Sequence, residues 1–381
     1  MKTGVLVVAS AMLATSIPAV GHGEEPRRMH HARILASVPA GDRGYIEGIA
    51  YDGTDVYAGT GFGSTGTGAP LTNRGEASRI FSWNRVTGVP TGTIVLGGED
   101  TSVEHGITGI KFDAQGRLYA LSNQLGLVRF TRNRDKKWHQ ENLVQLPDLA
   151  PCAVSTAPCS PTLTDRRGLG NDLTWGPDGR LYISDSFQST IWKVTLGKAR
   201  PTIEPWFQSA AFDRVFGANG LRVGPGGRFM AVAITGPDTA TVGPIDRASR
   251  VIAVPFPDPS AGKVTDLLVL PNDATTDGLA YGARGDLYVL SNNANRIYIR
   301  RSSGAVEVVT NDDLTGGGKM DFPASLAFDR KGALLICNYA WFDGQTPLGS
   351  RSVIDVWVND VGLAEPPTVR AQRGRTKGAS L

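Results

Sequence analysis

A phrase of about fifteen residues recurs six times in this 381-residue chain, and the recurrence constrains the fold more than any other feature. The copies read EGIAYDGTDVYAGT from Glu47, TGIKFDAQGRLYALS from Thr108, NDLTWGPDGRLYISD from Asn171, NGLRVGPGGRFMAVA from Asn219, DGLAYGARGDLYVLS from Asp277 and ASLAFDRKGALLICN from Ala324. Their starts lie 61, 63, 48, 58 and 47 residues apart, which suits one four-stranded propeller blade per copy with loops of variable length. Within a copy, an apolar run meets a glycine-containing turn and then a second apolar run rich in Tyr, Leu and Val. That is a strand, a tight turn and a strand. Third runs such as SRIFSWN, TIWKVT and NRIYIRR, and fourth runs such as GTIVLG, TDLLVL and VEVVTN, complete most units. The last unit is short of an outer strand. ARILASV, from Ala32 to Val38, precedes the first copy and is placed to supply it, closing the ring with the chain's start against its end.

The expected architecture is therefore all-β: a six-bladed β-propeller with four-stranded blades around a central channel, which the residues considered below make a metal-binding one. It spans residues 32–365 as a single domain, with 366–381 a frayed basic tail. Two stacked domains divided near residue 200 are disfavoured, because the phrase continues in the same form on both sides. Glycine is abundant at 47 residues and helical patterns are few, as such a ring requires. With 39 Lys and Arg against 36 Asp and Glu, the formal charge is +3, so there is no basic excess to recruit nucleic acid.

Residues 1–23 have the layout of a signal peptide: Lys2, an apolar run from Gly4 to Val20, and a small-residue exit before a polar stretch. Periplasmic or secreted residence is the expectation, with no membrane association after cleavage and a monomeric protein. Thiols tend to oxidise there, so Cys152 and Cys159 in PCAVSTAPCS are placed to form a local disulfide, while Cys337 in ALLICNY reads as a buried core thiol. The cysteine spacing and the lack of a partnering His pair argue against zinc.

The residues that open the copies are Glu47, Thr108, Asn171, Asn219, Asp277 and Ala324. Innermost propeller strands line the central channel, so positions at one phase converge on the axis. Four of the six carry a carboxylate or carboxamide oxygen. Aimed at one point, two carboxylates and two amide oxygens would repel or go unsatisfied if the point were empty. A hard divalent cation resolves the conflict, and calcium accepts this mixture whereas zinc favours His or Cys.

The ordered set Glu-Gly-Ile, Asn-Asp, Asn-Gly-Leu and Asp-Gly-Leu resembles the gluconolactonase and senescence-marker-protein family of six-bladed propellers. It is similar in layout to the paraoxonases and diisopropylfluorophosphatase. The resemblance runs from Glu47 to Tyr339. It implies a catalytic divalent metal, usually calcium, held by Glu47, Asn171, Asn219 and Asp277, and hydrolysis of a small-molecule lactone or related ester. Where gluconolactonases carry an arginine two residues before the Asn-Asp pair, this chain has Leu169, with Arg166 and Arg167 nearby. Such a metal would polarise the carbonyl and stabilise the oxyanion formed on attack by water.

Two residues are candidates to take the water's proton. Asp277 would serve as base if its carboxylate touches both metal and water; otherwise it is purely a ligand. His105, in VEHGITGIKFD, stands three residues before the second opening position, and histidine suits proton transfer near neutral pH. Paraoxonases carry a catalytic histidine in a similar phrase, at the phase where this chain has Thr108; the other reading of His105 is a loop anchor. Asp172 would either orient the Asn171 amide or cap its strand. The glycine-rich GFGSTGTG from Gly61 reads as a rim loop, since neither a serine elbow nor a phosphate cradle accompanies it. The expected rim loops are Thr60 to Arg79, which contains it, Cys152 to Gly170 and Thr235 to Ser249. The alternative to a hydrolase is a non-catalytic propeller in which the same ring holds a structural calcium and the rim binds a ligand or protein.

Overall fold

Each copy of the phrase supplies the two inner strands of a four-stranded antiparallel sheet, and six such sheets surround one axis as a six-bladed β-propeller. The computed structural model describes residues 28–39, 45–61, 75–197, 200–238, 248–340 and 351–364. The expected signal segment 1–23, nearly all of GFGSTGTG and the tail 366–381 lie outside the described residues.

The first strand, β1 (Ala32–Ser37), belongs to the last blade. Blade 1 is β2 (Ile46–Tyr51), β3 (Asp55–Thr60), β4 (Arg79–Asn84) and β5 (Pro90–Val95). Blade 2 is β6 (Ile107–Phe112), β7 (Leu118–Ser122), β8 (Gly126–Arg132) and β9 (Trp138–Val144). Blade 3 is β10 (Gly170–Trp175), β11 (Leu181–Asp185), β12 (Thr190–Thr195) and β13 (Thr202–Gln208). Blade 4 is β14 (Arg214–Val223), β15 (Phe229–Asp238), β16 (Arg250–Pro255) and β17 (Thr265–Val269). Blade 5 is β18 (Thr276–Tyr281), β19 (Leu287–Ser291), β20 (Arg296–Arg300) and β21 (Val306–Thr310). Blade 6 is β22 (Pro323–Phe328), β23 (Ala333–Asn338) and β24 (Ser352–Trp357), completed by β1. Among the described residues the only helical elements are three short 3-10 turns, and no helix is long and apolar enough to cross a membrane.

The phrase is legible in hydrogen bonds. The Asp52 carboxylate accepts the N–H groups of Thr54 and Asp55 and the hydroxyl of Tyr57, tying the inner turn to the strand after it. Asp113 does the same for Gln115, Arg117 and Tyr119, and Asp178 for Arg180 and Tyr182. The turn of blade 5, Gly282 to Gly285, has no aspartate. Tyr288 donates instead to Asp360, 3.1 Å away, on the strap that follows β24. That strap crosses under blade 5, with Ala283 N–H on Val361 O at 2.6 Å and Leu363 N–H on Tyr281 O at 2.8 Å. It lends blade 5 the carboxylate its own turn lacks.

Apolar side chains from facing sheets fill the spaces between blades. Tyr119 of blade 2 meets Trp175 of blade 3 edge-on at 5.2 Å, within a cluster that includes Leu173, Ile183 and Trp192. A Cys152–Cys159 disulfide closes the expected loop, and Cys337 is free and buried.

Ring closure follows the expectation: β1 pairs antiparallel with β24, Ile34 opposite Ile354. Charged side chains reinforce the seam. Arg85, just after β4, donates to Asp329 at 3.0 Å through Nε and to Asp355 at 2.9 Å through Nη1, while Arg33 of β1 reaches Asp355 at 3.0 Å. Arg85, Asp329 and Asp355 are all buried. Removing one partner from a buried ion pair strands the other charge, which costs about 3–5 kcal/mol. Arg85→Met is therefore expected to lower unfolding stability by about that amount in urea titrations, whereas Arg129→Ala, which breaks the more exposed pair with Glu141, changes it by less than about 1 kcal/mol.

Candidate metal centre at the channel mouth

The six opening residues coincide with a defect in strand pairing. In blade 1, Ile46 faces Thr60 and Ile49 faces Ala58, so Glu47 and Gly48 together oppose Gly59. The same two-against-one register recurs at Thr108-Gly109, Asn171-Asp172, Asn219-Gly220 and Asp277-Gly278. In blade 6 the pairing slips at Ala324. An extra residue bends the strand and re-aims its side chains, and bulges of this kind gather beside functional sites.

Glycine after the opening residue lets neighbouring inner strands touch backbone to backbone. A Cβ on Gly48 would lie 2.9 Å from Thr108 O, and one on Gly220 would lie 2.6 Å from Asp277 O. Either would force the blades apart. The glycine after the opening residue is thus packed against the backbone of the next blade's opening residue.

Asp277 is buried, and its carboxyl accepts from Asn292 Nδ2 at 2.9 Å and from the side chain of Asn219. Burial pushes it up to about 8 despite those bonds, with the nearby Asp172 carboxylate adding to the rise. Asn171 is also buried, and its carboxamide makes no hydrogen bond with any described residue. Glu47 lies across the mouth beside Tyr339: a Cβ on Gly61 would come within 2.8 Å of Glu47 Oε2 and of the Tyr339 ring. Tyr339 is buried and stacked on Tyr45 at 4.7 Å, and its phenol is raised by burial and by the fields of Glu47, Asp277 and Glu104.

Among the described residues, no three His, Cys, Asp or Glu side chains gather as a metal cluster. An ion at the mouth would depend on the two carboxamides as well as the carboxylates. The donor chemistry fits a hard cation: two carboxylates, two amide oxygens, and a buried carboxyl whose strongest influences include no cationic side chain.

The other expected residues have different placements. Thr108 donates to Gly170 O at 2.6 Å and so links blades 2 and 3. Asp172 turns to blade 4, where it accepts from Arg222 Nη1 at 2.5 Å and from Leu221 N–H, rather than orienting Asn171. His105 is buried with Nδ1 2.8 Å from Val103 O and Nε2 2.7 Å from Glu76 O, so both ring nitrogens face backbone carbonyls. Leu169 is buried, with its N–H on Asp185, and the Arg166 guanidinium sits over the Phe187 ring, 3.4 Å from its centroid.

Asn292, Tyr339 and Glu104 were not anticipated. Asn292 and Tyr339 stand fifteen residues after Asp277 and Ala324, so a second phase, at the exit of the inner hairpin, carries them. Glu104 has no repeat signal.

No family model matches the chain, and no curated protein matches it in sequence. Solved structures do. The calcium-binding protein regucalcin from Agrobacterium tumefaciens superposes with a TM-score of 0.54 at 14% identity, over 89% of this chain and 97% of that one. A gluconolactonase from Xanthomonas campestris gives 0.52 at 16% identity, over 86% and 89%. Virginiamycin B lyase from Staphylococcus aureus gives 0.51 at 13% identity, over 86% and 98%. The chain shares their fold, which a gluconolactonase, a calcium-binding protein and a lyase have in common.

The raised Asp277 carboxyl has a thermodynamic consequence. A carboxyl whose folded value lies above its unfolded value of 3.8 favours folding fully below that value, and the contribution is lost as pH rises towards about 8. In chelator, the stability of the protein relative to Asp277→Asn is expected to fall across this window, as read by denaturant titration at successive pH values. Excess calcium is expected to flatten the slope.

Proposed function

We propose that the protein is a divalent-metal-dependent hydrolase of small lactones or related esters, with calcium as the metal, acting in the periplasm or outside the cell. The observation that carries the reading is the recurrent bulge that sets Glu47, Asn171, Asn219 and Asp277 at one phase of the inner strands, with Asp277 buried. The resemblance of the opening residues to the gluconolactonase family supports it, as does the shared fold with a gluconolactonase and with regucalcin. The Cys152–Cys159 disulfide supports an oxidising compartment.

Glu47, Asn171, Asn219 and Asp277 would hold the ion through oxygen. When bound, it would polarise the substrate carbonyl and acidify water. The chain's own groups have separable roles. Asn219 and Asn292 donate to the Asp277 carboxylate and fix its orientation. Asp277 would accept the proton of the attacking water as the carboxylate, the form that a bound cation favours over the acid that burial alone favours. Tyr339 retains its proton and offers a hydroxyl donor beside Glu47 and Asp277. His105 anchors the mouth, joining the Val103 turn to Glu76, and takes no part in proton transfer.

The test is hydrolysis of a panel of lactones and aryl esters with excess calcium and with chelator. Hydrolysis is expected to require the metal, and Asp277→Asn is expected to reduce kcat by about 10²–10⁴-fold with the fold retained. Hydrolysis indifferent to chelation, or undiminished in Asp277→Asn, would overturn the reading. Calcium binding by calorimetry without turnover of any substrate would favour a non-catalytic propeller.

A further inference from the structure

Blade 6 opens on Ala324, the one opening residue without a polar side chain, and its polar group at the mouth comes from the exit of the inner hairpin instead. In blade 5, Thr276 faces Ser291, so Asp277 opens the phrase and Asn292 leaves it. In blade 6, Pro323 faces Asn338, which puts Ala324 and Tyr339 at those two places. Asn292 is occupied with the Asp277 carboxyl. Tyr339 fills the room that a small opening residue leaves. Ala324, Tyr45 and Tyr339 form one buried cluster with Phe322 packed against it, and the Tyr339 ring lies 4.7 Å from that of Tyr45 with 10° between the planes.

The backbone that carries this ring is strained. Positive φ is uncommon outside glycine, and for a residue as bulky as phenylalanine it is an outlier that persists only where the surroundings enforce it. Among the described residues seven other than glycine have it, and three of the seven lie in one hydrogen-bonded network here: Asn295 at 50°, Phe322 at 48° and Ala340 at 58°. Asn295 Oδ1 accepts the Phe322 N–H at 2.7 Å, Phe322 O accepts the Tyr339 N–H at 3.0 Å, and Asp321 O accepts the Ala340 N–H at 3.0 Å. Asn295 belongs to the turn after Asn292, with its own N–H on Asn292 O at 3.3 Å. One short turn of blade 5 therefore bears on Asp277 through Asn292 and on Tyr339 through Phe322.

We propose that Asn295 is a positioning residue for hydrolysis: through the Phe322 backbone it holds the Tyr339 ring at the channel mouth, where the hydroxyl donates to the substrate oxygen that gains negative charge. A donor fixed in advance stabilises developing charge without reorganising during the reaction. Asparagine suits position 295 on two counts, since it tolerates the left-handed conformation and its amide oxygen is the acceptor. The inference rests on the hydrolase reading for what the hydroxyl does, and on the geometry alone for what holds the ring.

Asn295→Gly keeps the positive φ and removes the acceptor, whereas Asn295→Asp keeps both. On the best substrate of the lactone and ester panel, Asn295→Gly is expected to lower kcat by about tenfold with KM changed by less than about twofold, and Asn295→Asp to recover most of that loss. In a Tyr339→Phe background Asn295→Gly is expected to add nothing, which a merely structural role would not produce. With isotopically labelled tyrosine in the full-length protein, the ring signal that Tyr339→Phe removes is expected to shift in Asn295→Gly and to stay in place in Asn295→Asp. The proposal is overturned if that signal does not move in Asn295→Gly, or if the losses of Asn295→Gly and Tyr339→Phe add. Absence of hydrolysis by the unaltered protein would overturn the hydrolase reading and the role of the hydroxyl, and the ring signal would still decide whether Asn295 holds Tyr339. Should Asn295→Gly not fold, Asn295→Ser, whose side chain is too short to reach the Phe322 N–H, takes its place.

Discussion

Antiparallel pairing of β1 with β24 closes the ring, and the convergence of side chains on one axis depends on that closure. An open array of six sheets would present two free edges and leave the inner strands of blades 1 and 6 without a common centre. Backbone hydrogen bonds supply the pairing. A cluster of buried Arg85, Asp329 and Asp355 with half-buried Arg33 gives it specificity, because Arg85 of the first blade reaches both carboxylates of the last only when the two blades are in register.

Once the ring is closed, small residues set how near the inner strands approach. Glycines beside Glu47, Thr108, Asn219 and Asp277 let adjacent backbones touch, and a one-residue register slip in every blade turns the opening side chain out of the regular pleat. The pairing defect and the chemistry therefore occupy the same positions. Asp277 is buried there with Asn219 and Asn292 on its carboxyl, and burial raises that carboxyl despite their bonds.

Blade 5 shows how the repeat tolerates a lapse. Its turn has no aspartate, and the strap after β24 delivers Asp360 to Tyr288 in its place.

Much of this was legible in the chain itself. Six copies of one phrase determined the blade number, the inner hairpins, the need for ARILASV to complete the last blade, and the phase at which Glu47, Asn171, Asn219 and Asp277 recur, because each depends on local pattern and period. Tertiary structure alone decided the rest. The partners of Arg85 lie 244 and 270 residues away, and Asp360 lies 72 residues from Tyr288, distances over which sequence carries no pairing signal. The two carbonyls that hold His105 and the turn of Asp172 towards Arg222 likewise follow from loops and blades meeting in space. A periodic sequence states which positions are equivalent; only the closed ring determines what each of them faces.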